Sequence, residues 1–471
     1  MRRTHLAAGA IAAALTLAYV AASAQSGAAQ PGAGQDAGVE HFKYGSVGIE
    51  SEEGLPYWIW QVLPRMFPEK LPGPGGYASL GVIWEPGREL PIGFSKRSVF
   101  GSDRVAVNCA FCHTATYRTS PDAPRVIVPG GASHQLTPQA FSRFLEESAA
   151  DPRFNAADML RAIGEIGQLS WTESLTYRLV LIPATRRGLL RHRDEFSWMA
   201  TRPAWGRGRI DPLNPFKYRQ LQQPIDDTIG NSDMTPLWSL GLRDGKALHW
   251  DGLNPSLKEV LISSAIGNGA SARSVDLASL DRVSAWLRDL QPPPFPFPID
   301  QTLTGRGSTV FAAECASCHA ADGPRMGSVI PLAEVGTDAH RLDTWTSSAA
   351  TAFNAVGAGY PWRFTSFRKT NGYVAAPLVG TWLNAPYLHN GSVPTLAALL
   401  EPVERRLVRF YRGYDVYDAA RVGFMSDGAG AEQRGELFDT ALPGNSNAGH
   451  LYGTGLPAES KRALLEFMKT L

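Results

Sequence analysis

The chain has 471 residues, well past the size at which a single hydrophobic core stops growing, so more than one domain is expected. Hydrophobic residues at 44% suffice for a real core, and 47 glycines and 34 prolines point to many turns without reaching the composition of a disordered chain. A formal net charge of +1 supplies no basic field for a nucleic-acid partner.

The chain opens with a basic head, MRRTH, then an apolar run ending in the small residues Ala22, Ser23 and Ala24. That layout predicts a secretory signal peptide over 1–24 and a periplasmic or secreted protein. The alternative, a membrane anchor, is disfavoured by the short, Ala-rich run, so no stable membrane span is expected. Residues 25–94 begin with a flexible lead, in which His41 is taken as a surface residue. WIWQVLPRMF then predicts a short helix, and repeated prolines predict loops packed as an extension on the first domain.

A first domain is expected over 95–295, carrying CAFCH at 109–113. Helical periodicity marks 137–150, 155–169 and the latter half of TESLTYRLVLIPATRRGLLRHR, where His192 reads as solvated. The pattern dissolves between 200 and 235 and returns at 254–267 and 271–290. Pro292, Pro293, Pro294, Pro296 and Pro298 form a stiff boundary. The second domain, 299–471, opens with GRGSTVFAAECASCHA, a helix leading into CASCH at 315–319. It closes with the amphipathic SKRALLEFMKTL, and its polar middle at 420–447 reads as loop.

Four cysteines in an exported chain first suggest two disulfides. Every one of them, however, lies in Cys-x-x-Cys-His. In that spacing both thiols can form thioethers to haem vinyl groups, and the adjoining histidine can ligate the iron. A redox dithiol or a zinc knuckle would need further ligands at matching spacing. Two covalently attached c-type haems are therefore expected, through Cys109, Cys112 and His113 and through Cys315, Cys318 and His319. A structural calcium ion is a further expectation. The fold class is accordingly mainly α: two cytochrome c-like haem domains with long irregular loops and minor β.

The face opposite each attachment histidine decides function, since a second protein ligand makes an electron-transfer centre and an open face can bind oxygen or peroxide. His134 and His340, in loops, are candidates for ligation or for propionate contact. His249 in ALHWDG and His389 in NAPYLHNGSVPTL occupy compact turns. His450 lies in a flexible loop just before the terminal helix, the place from which a cytochrome c usually brings its distal ligand, and is the preferred partner of His319. Among the methionines none has a compelling context.

The segments PYWIWQVLPRMFPEKLPGPGGYASLG, VNCAFCHT, LHWDGLNPSL, FAAECASCHA, LNAPYLHNGSVPTLAALLEP and GNSNAGHLYGTGLPAESKRALLEFMKTL span nearly all of the mature chain. Together they resemble the RoxA-like rubber oxygenases, a branch of the di-haem cytochrome c peroxidase superfamily. The resemblance implies that His113 holds an oxygen-binding haem and that His319 and His450 bracket the other. It implies dioxygen chemistry on an alkene-containing apolar small molecule or polymer. A pocket lined from Trp238 through His249 and Trp250 to Ile266 is then expected, with His113, Trp250 and Ile266 as the catalytic set. This chain is shorter than the rubber-cleaving relatives, so a smaller alkene is as credible as rubber. A di-haem peroxidase drawing electrons from a small donor protein is the alternative enzyme, and a pure electron shuttle with two six-coordinate irons the non-enzyme alternative.

Overall fold

The computed structural model describes residues 33–471. The expected signal peptide lies outside the described residues. Among those described, no helix is long and apolar enough to cross a membrane. The fold is mainly helical, with strands confined to small two- and three-stranded sheets.

The elements that bear on the site are numbered in chain order. Helix α1 spans Ala33–Tyr44 and α2 spans Tyr57–Met66. Pro64 falls inside α2 and removes the N–H that would bond the Trp60 carbonyl. The Tyr77 hydroxyl donates to that carbonyl at 2.8 Å, so the helix continues past the proline. Strands β1, Phe94–Val99, and β2, Ser102–Val107, form a hairpin whose tip, Phe100 and Gly101, has positive φ at both residues. The positive φ values suit the twist of a two-residue hairpin loop.

Helices α3, Pro138–Ala150, and α4, Ala156–Gly164, follow the sequence periodicity. The whole of 171–195 is helical, not its latter half alone: α5, Trp171–Thr176, passes through a π turn at Tyr177–Leu181 into α6, Ile182–Glu195. The Ser170–Glu173 capping box starts this segment, a signal readable in SWTE. Helices α7, Leu257–Gly267, and α8, Leu277–Asp289, are capped by Ser256 and Asp276. The Phe42 ring of α1 lies 4.5 Å from Trp286 of α8, so His41 belongs to a packed helix and not to a mobile lead. Its Nε2 is buried, and burial lowers its pKa.

Helix α9, Gln301–Glu314, crosses the terminal α10, Ala458–Met468, at Gly307. A Cβ there would stand 2.0 Å from the Ala463 carbonyl oxygen, so only glycine allows this approach. Phe311, Leu464 and Met468 fill the crossing. The 420–447 segment is more ordered than its composition suggests. It holds a short helix, Gly428–Arg434, and strand Glu436–Asp439 pairs antiparallel with Arg409–Arg412.

The proline segment does not separate the chain into independent cores. Trp345 and Phe353 pack with Leu257 and Leu280, and Ala115 and Tyr117 pack with Trp382 and Leu464. The segment itself lies on the later residues, with Trp382 Nε1 donating to the Pro293 carbonyl at 3.0 Å.

Candidate functional site

The two Cys-x-x-Cys-His segments border one cavity of about 820 Å³. Asn108 caps the first, its side chain accepting from Ala110 N, and so sets the short helix Cys109–Cys112. His113 Nδ1 donates to the Thr235 carbonyl at 2.7 Å. His319 Nδ1 donates to the Ala376 carbonyl at 2.6 Å. A carbonyl can only accept, so each bond fixes the Nδ1–H tautomer and leaves Nε2 with its lone pair for a ligand. Burial lowers the pKa of both rings, against the opposing effect of those carbonyls, and favours the neutral form that ligation needs.

No two of the four cysteines form a disulfide. Burial pushes the Cys109 and Cys315 thiols up to about 11 and Cys112 up to about 12. A working redox dithiol requires a lowered thiol pKa, so the environment of Cys109 and Cys112 speaks against that alternative for the first pair.

The His450 ring stands across from His319, with ring centroids 6.1 Å apart. Two imidazoles sharing one metal through nitrogen bonds of about 2 Å on each side would have centroids roughly 6 Å apart. Among the described residues no imidazole stands at a comparable distance from His113. Arg243 is buried on the cavity wall with no carboxylate partner among the described residues, and burial lowers its pKa to about 10. An unneutralised buried guanidinium on the wall of the cavity that both Cys-x-x-Cys-His segments border is suited to an anionic haem edge. On these four observations the donor set fits c-type haem.

Arg406 secures His450, and its sequence context gives no sign of that role. Its guanidinium is buried and donates to the carbonyls of Asn447 at 2.6 Å and Gly449 at 2.9 Å. It also reaches His450 O at 3.3 Å, Leu399 O at 3.2 Å and Glu401 O at 3.1 Å. Asn390 Nδ2 donates to Ser446 O at 2.9 Å, and Ser392 Oγ to the same oxygen at 3.0 Å. The NAPYLHNGSV motif therefore acts on the geometry of the 444–450 loop. Gly449, at φ 77°, passes so close to Gly336 that a Cβ would meet its backbone at 2.3 Å. His450 itself has φ 48°.

Trp250 ties the two Cys-x-x-Cys-His regions together. Its Nε1 donates to Asp233 O at 2.9 Å, two residues before the Thr235 carbonyl that holds His113. Its own carbonyl accepts from Val374 N at 2.8 Å, two residues before the Ala376 carbonyl that holds His319. Asp233 is buried against Arg412, and burial raises its pKa to about 6 in spite of that partner.

Ile266 is turned away from the cavity. Val260, Ser263, Ser264 and Gly267 of α7 line it, whereas Ile266 packs into the hydrophobic core with Ile262. At 3.6 residues per turn the lining positions share a face that Ile266 does not. Trp238, His249 and Trp250 do border the cavity. His249 has φ 62° and a buried, unpartnered Nε2, and burial takes its pKa down to about 4.

The remaining histidines fall elsewhere. His192, expected on a solvated face, lines the cavity and its Nδ1 lies 2.7 Å from Glu146 Oε1. His134 stacks on Phe424 at 3.7 Å, and His340 faces Asp338. His389 bonds the Tyr373 hydroxyl at 3.0 Å. Among the described residues no group of three or more His, Cys, Asp or Glu side chains is arranged to hold a metal ion, so the calcium expectation gains no site.

These features are those of a c-type haem protein. Residues 372–411, running from the His319-holding segment into the Asn390 loop, match a family described as RoxA-like, cytochrome c-like, which implies a c-type haem and redox chemistry. The uncharacterized protein y4iM of Sinorhizobium fredii is 29% identical over 256 residues, covering 46% of this chain and 56% of its own. The uncharacterized protein y4iJ of the same organism is 30% identical over 254 residues, covering 39% and 41% respectively. The chain spans about half the length of these curated relatives.

Proposed function

We propose that this chain is a periplasmic or secreted di-haem c-type oxygenase that adds dioxygen to, or cleaves, a carbon–carbon double bond of an apolar substrate. The observation that carries the proposal is the asymmetry of the two attachment sites. His319 faces a second imidazole at 6.1 Å, while no imidazole among the described residues stands so close to His113; the cavity that both border carries apolar side chains such as Val260, Leu261 and Phe353.

A haem held by Cys109, Cys112 and His113 supplies the oxygen-activating chemistry when bound. The protein supplies position and dryness. Thr235 aims the His113 Nε2 toward the cavity, the α7 face seats an apolar chain, and the surrounding aromatic rings exclude water from it. His319 and His450 would hold the second haem between them, and Trp250 links the backbone segments that carry the Thr235 and Ala376 carbonyls.

The test is incubation of the holoprotein with a panel of alkenes under isotopically labelled dioxygen, without added reductant or peroxide. Label in both oxygen atoms of the product is expected. Oxidation that proceeds only with hydrogen peroxide and a donor protein would replace this reading with a peroxidase. One feature favours that second reading: Glu146, hydrogen-bonded to His192 and Ser142 on the cavity wall, offers a proton-handling group of the kind peroxide reduction requires.

A further inference from the structure

The helical segment 171–195 has two faces of different chemistry. Inward, Leu189 and His192 border the cavity. Outward, Trp171 is 77% exposed and Leu179 64% exposed, with Leu175 and Val180 exposed beside them. Large apolar side chains gathered on one exposed helix are uncommon on a monomer's surface and mark a contact. The neighbouring hairpin carries a further exposed apolar side chain: Ser102 lies beside Tyr177 of this segment, two residues from the 99%-exposed Phe100 at the hairpin tip.

The charges on this segment are not balanced locally. Arg178, Arg187 and Arg191 are exposed and have no salt-bridge partner among the described residues. The acids are engaged: Glu173 accepts from Ser170 N at 2.8 Å, Asp194 lies 3.1 Å from Arg193, and Glu195 lies 3.6 Å from Arg219. The segment thus presents tryptophan and leucine together with unpaired arginine, the combination by which a helix lies in a lipid interface. A second copy of the chain would set one arginine-bearing face against another, whereas an anionic lipid surface neutralises the arginines and takes up the apolar side chains at once.

We propose that segment 171–195, assisted by Phe100, docks the protein on an anionic lipid bilayer. Docking lays against the lipid the segment whose inward face, at Leu189 and His192, walls the cavity. The further step, that apolar substrate enters from the bilayer, rests on the oxygenase reading; docking itself does not.

The experiment is cosedimentation of the full-length holoprotein with vesicles of mixed phosphatidylglycerol and phosphatidylcholine, compared with phosphatidylcholine alone. Binding to the mixed vesicles is expected, weakening with salt. R187Q/R191Q should reduce it about thirtyfold, since each arginine near an anionic leaflet contributes roughly a fivefold factor. W171S/L179S should reduce it by about tenfold or more per side chain. Both variants should retain the wild-type haem spectrum and oxygen uptake with a detergent-dispersed alkene. The exposed arginine pair keeps the test available if the apolar changes disturb folding. No sedimentation of wild type, sedimentation indifferent to the arginine changes, or a concentration-dependent dimer broken by W171S/L179S would each overturn the proposal. The readout is binding, so it stands or falls apart from turnover.

Discussion

Replacing Arg406 with methionine keeps much of the side chain's length and apolar stem while removing every donor. Three of the five carbonyls it serves, those of Asn447, Gly449 and His450, belong to the loop that carries His450. Hydrogen bonds from a charged donor contribute about 1.5 to 3 kcal/mol each, and the 3.3 Å contact to His450 falls at the weak end. Some of the loss is recovered as the freed carbonyls meet water, so a net loosening of the loop of about 3 kcal/mol is expected. That is roughly a hundredfold shift in the loop's local opening equilibrium. Arg406→Lys, with three donors on one point, should fall between wild type and methionine.

The assay is magnetic circular dichroism and electron paramagnetic resonance of the holoprotein, read beside urea denaturation. R406M should lose much of the low-spin bis-imidazole signal of the His319 centre, while the His113 centre keeps its spectrum. A merely structural arginine would lower stability without that selective spectral change. R406M with an intact bis-imidazole signal and unchanged stability would refute the clamp.

Three other outcomes follow from particular contacts. Trp250→Phe removes the 2.9 Å bond to Asp233 O; it should cost about 1 kcal/mol and slow electron exchange between the two centres at unchanged haem content, and an unaltered exchange rate in stopped flow would refute the link. Ile266→Ala should cost about 2 to 4 kcal/mol in urea denaturation with no change in KM, because the side chain fills core, whereas Ser263→Leu on the lining face should alter KM at little cost in stability. His134 is buried, and burial takes its pKa from 6.5 down to about 3. Above pH 6.5 both folded and unfolded forms are neutral; below it the unfolded chain binds a proton that the folded chain refuses until about pH 3, so stability falls by about 1.4 kcal/mol per pH unit. His134→Leu should flatten the acid limb of a stability profile by that slope, and an unchanged limb would sink the assignment.

The tracts that sequence describes well are those whose physics is local. The helix at 138–150 announces itself by apolar period, and that at 257–267 by its apolar run and by Ser256, which caps it in place. The two Cys-x-x-Cys-His segments carry their chemistry in five consecutive residues. Helical period alone, however, does not say which face meets a cavity and which meets a core, and Ile266, expected at the cavity, meets the core. His192 looks solvated because its neighbours are charged; only α3, folding against α6, supplies Glu146 and the cavity behind it. The hairpin tip at Phe100 and Gly101 lacks the usual Asn-Gly signature, and the 420–447 strand pairs with a partner that its own polar composition does not reveal.

By itself, then, the sequence determined the mainly helical class and the two Cys-x-x-Cys-His segments with their histidines. Each depends on residues adjacent in the chain. Tertiary structure alone decided that one cavity serves both segments, that His450 stands 6.1 Å from His319 while His113 has no such partner among the described residues, and that Arg406 and Trp250 hold these regions in register. Those features join residues tens to hundreds of positions apart. Their energies reside in buried hydrogen bonds whose partners meet only when residues before and after the proline segment have packed into shared cores.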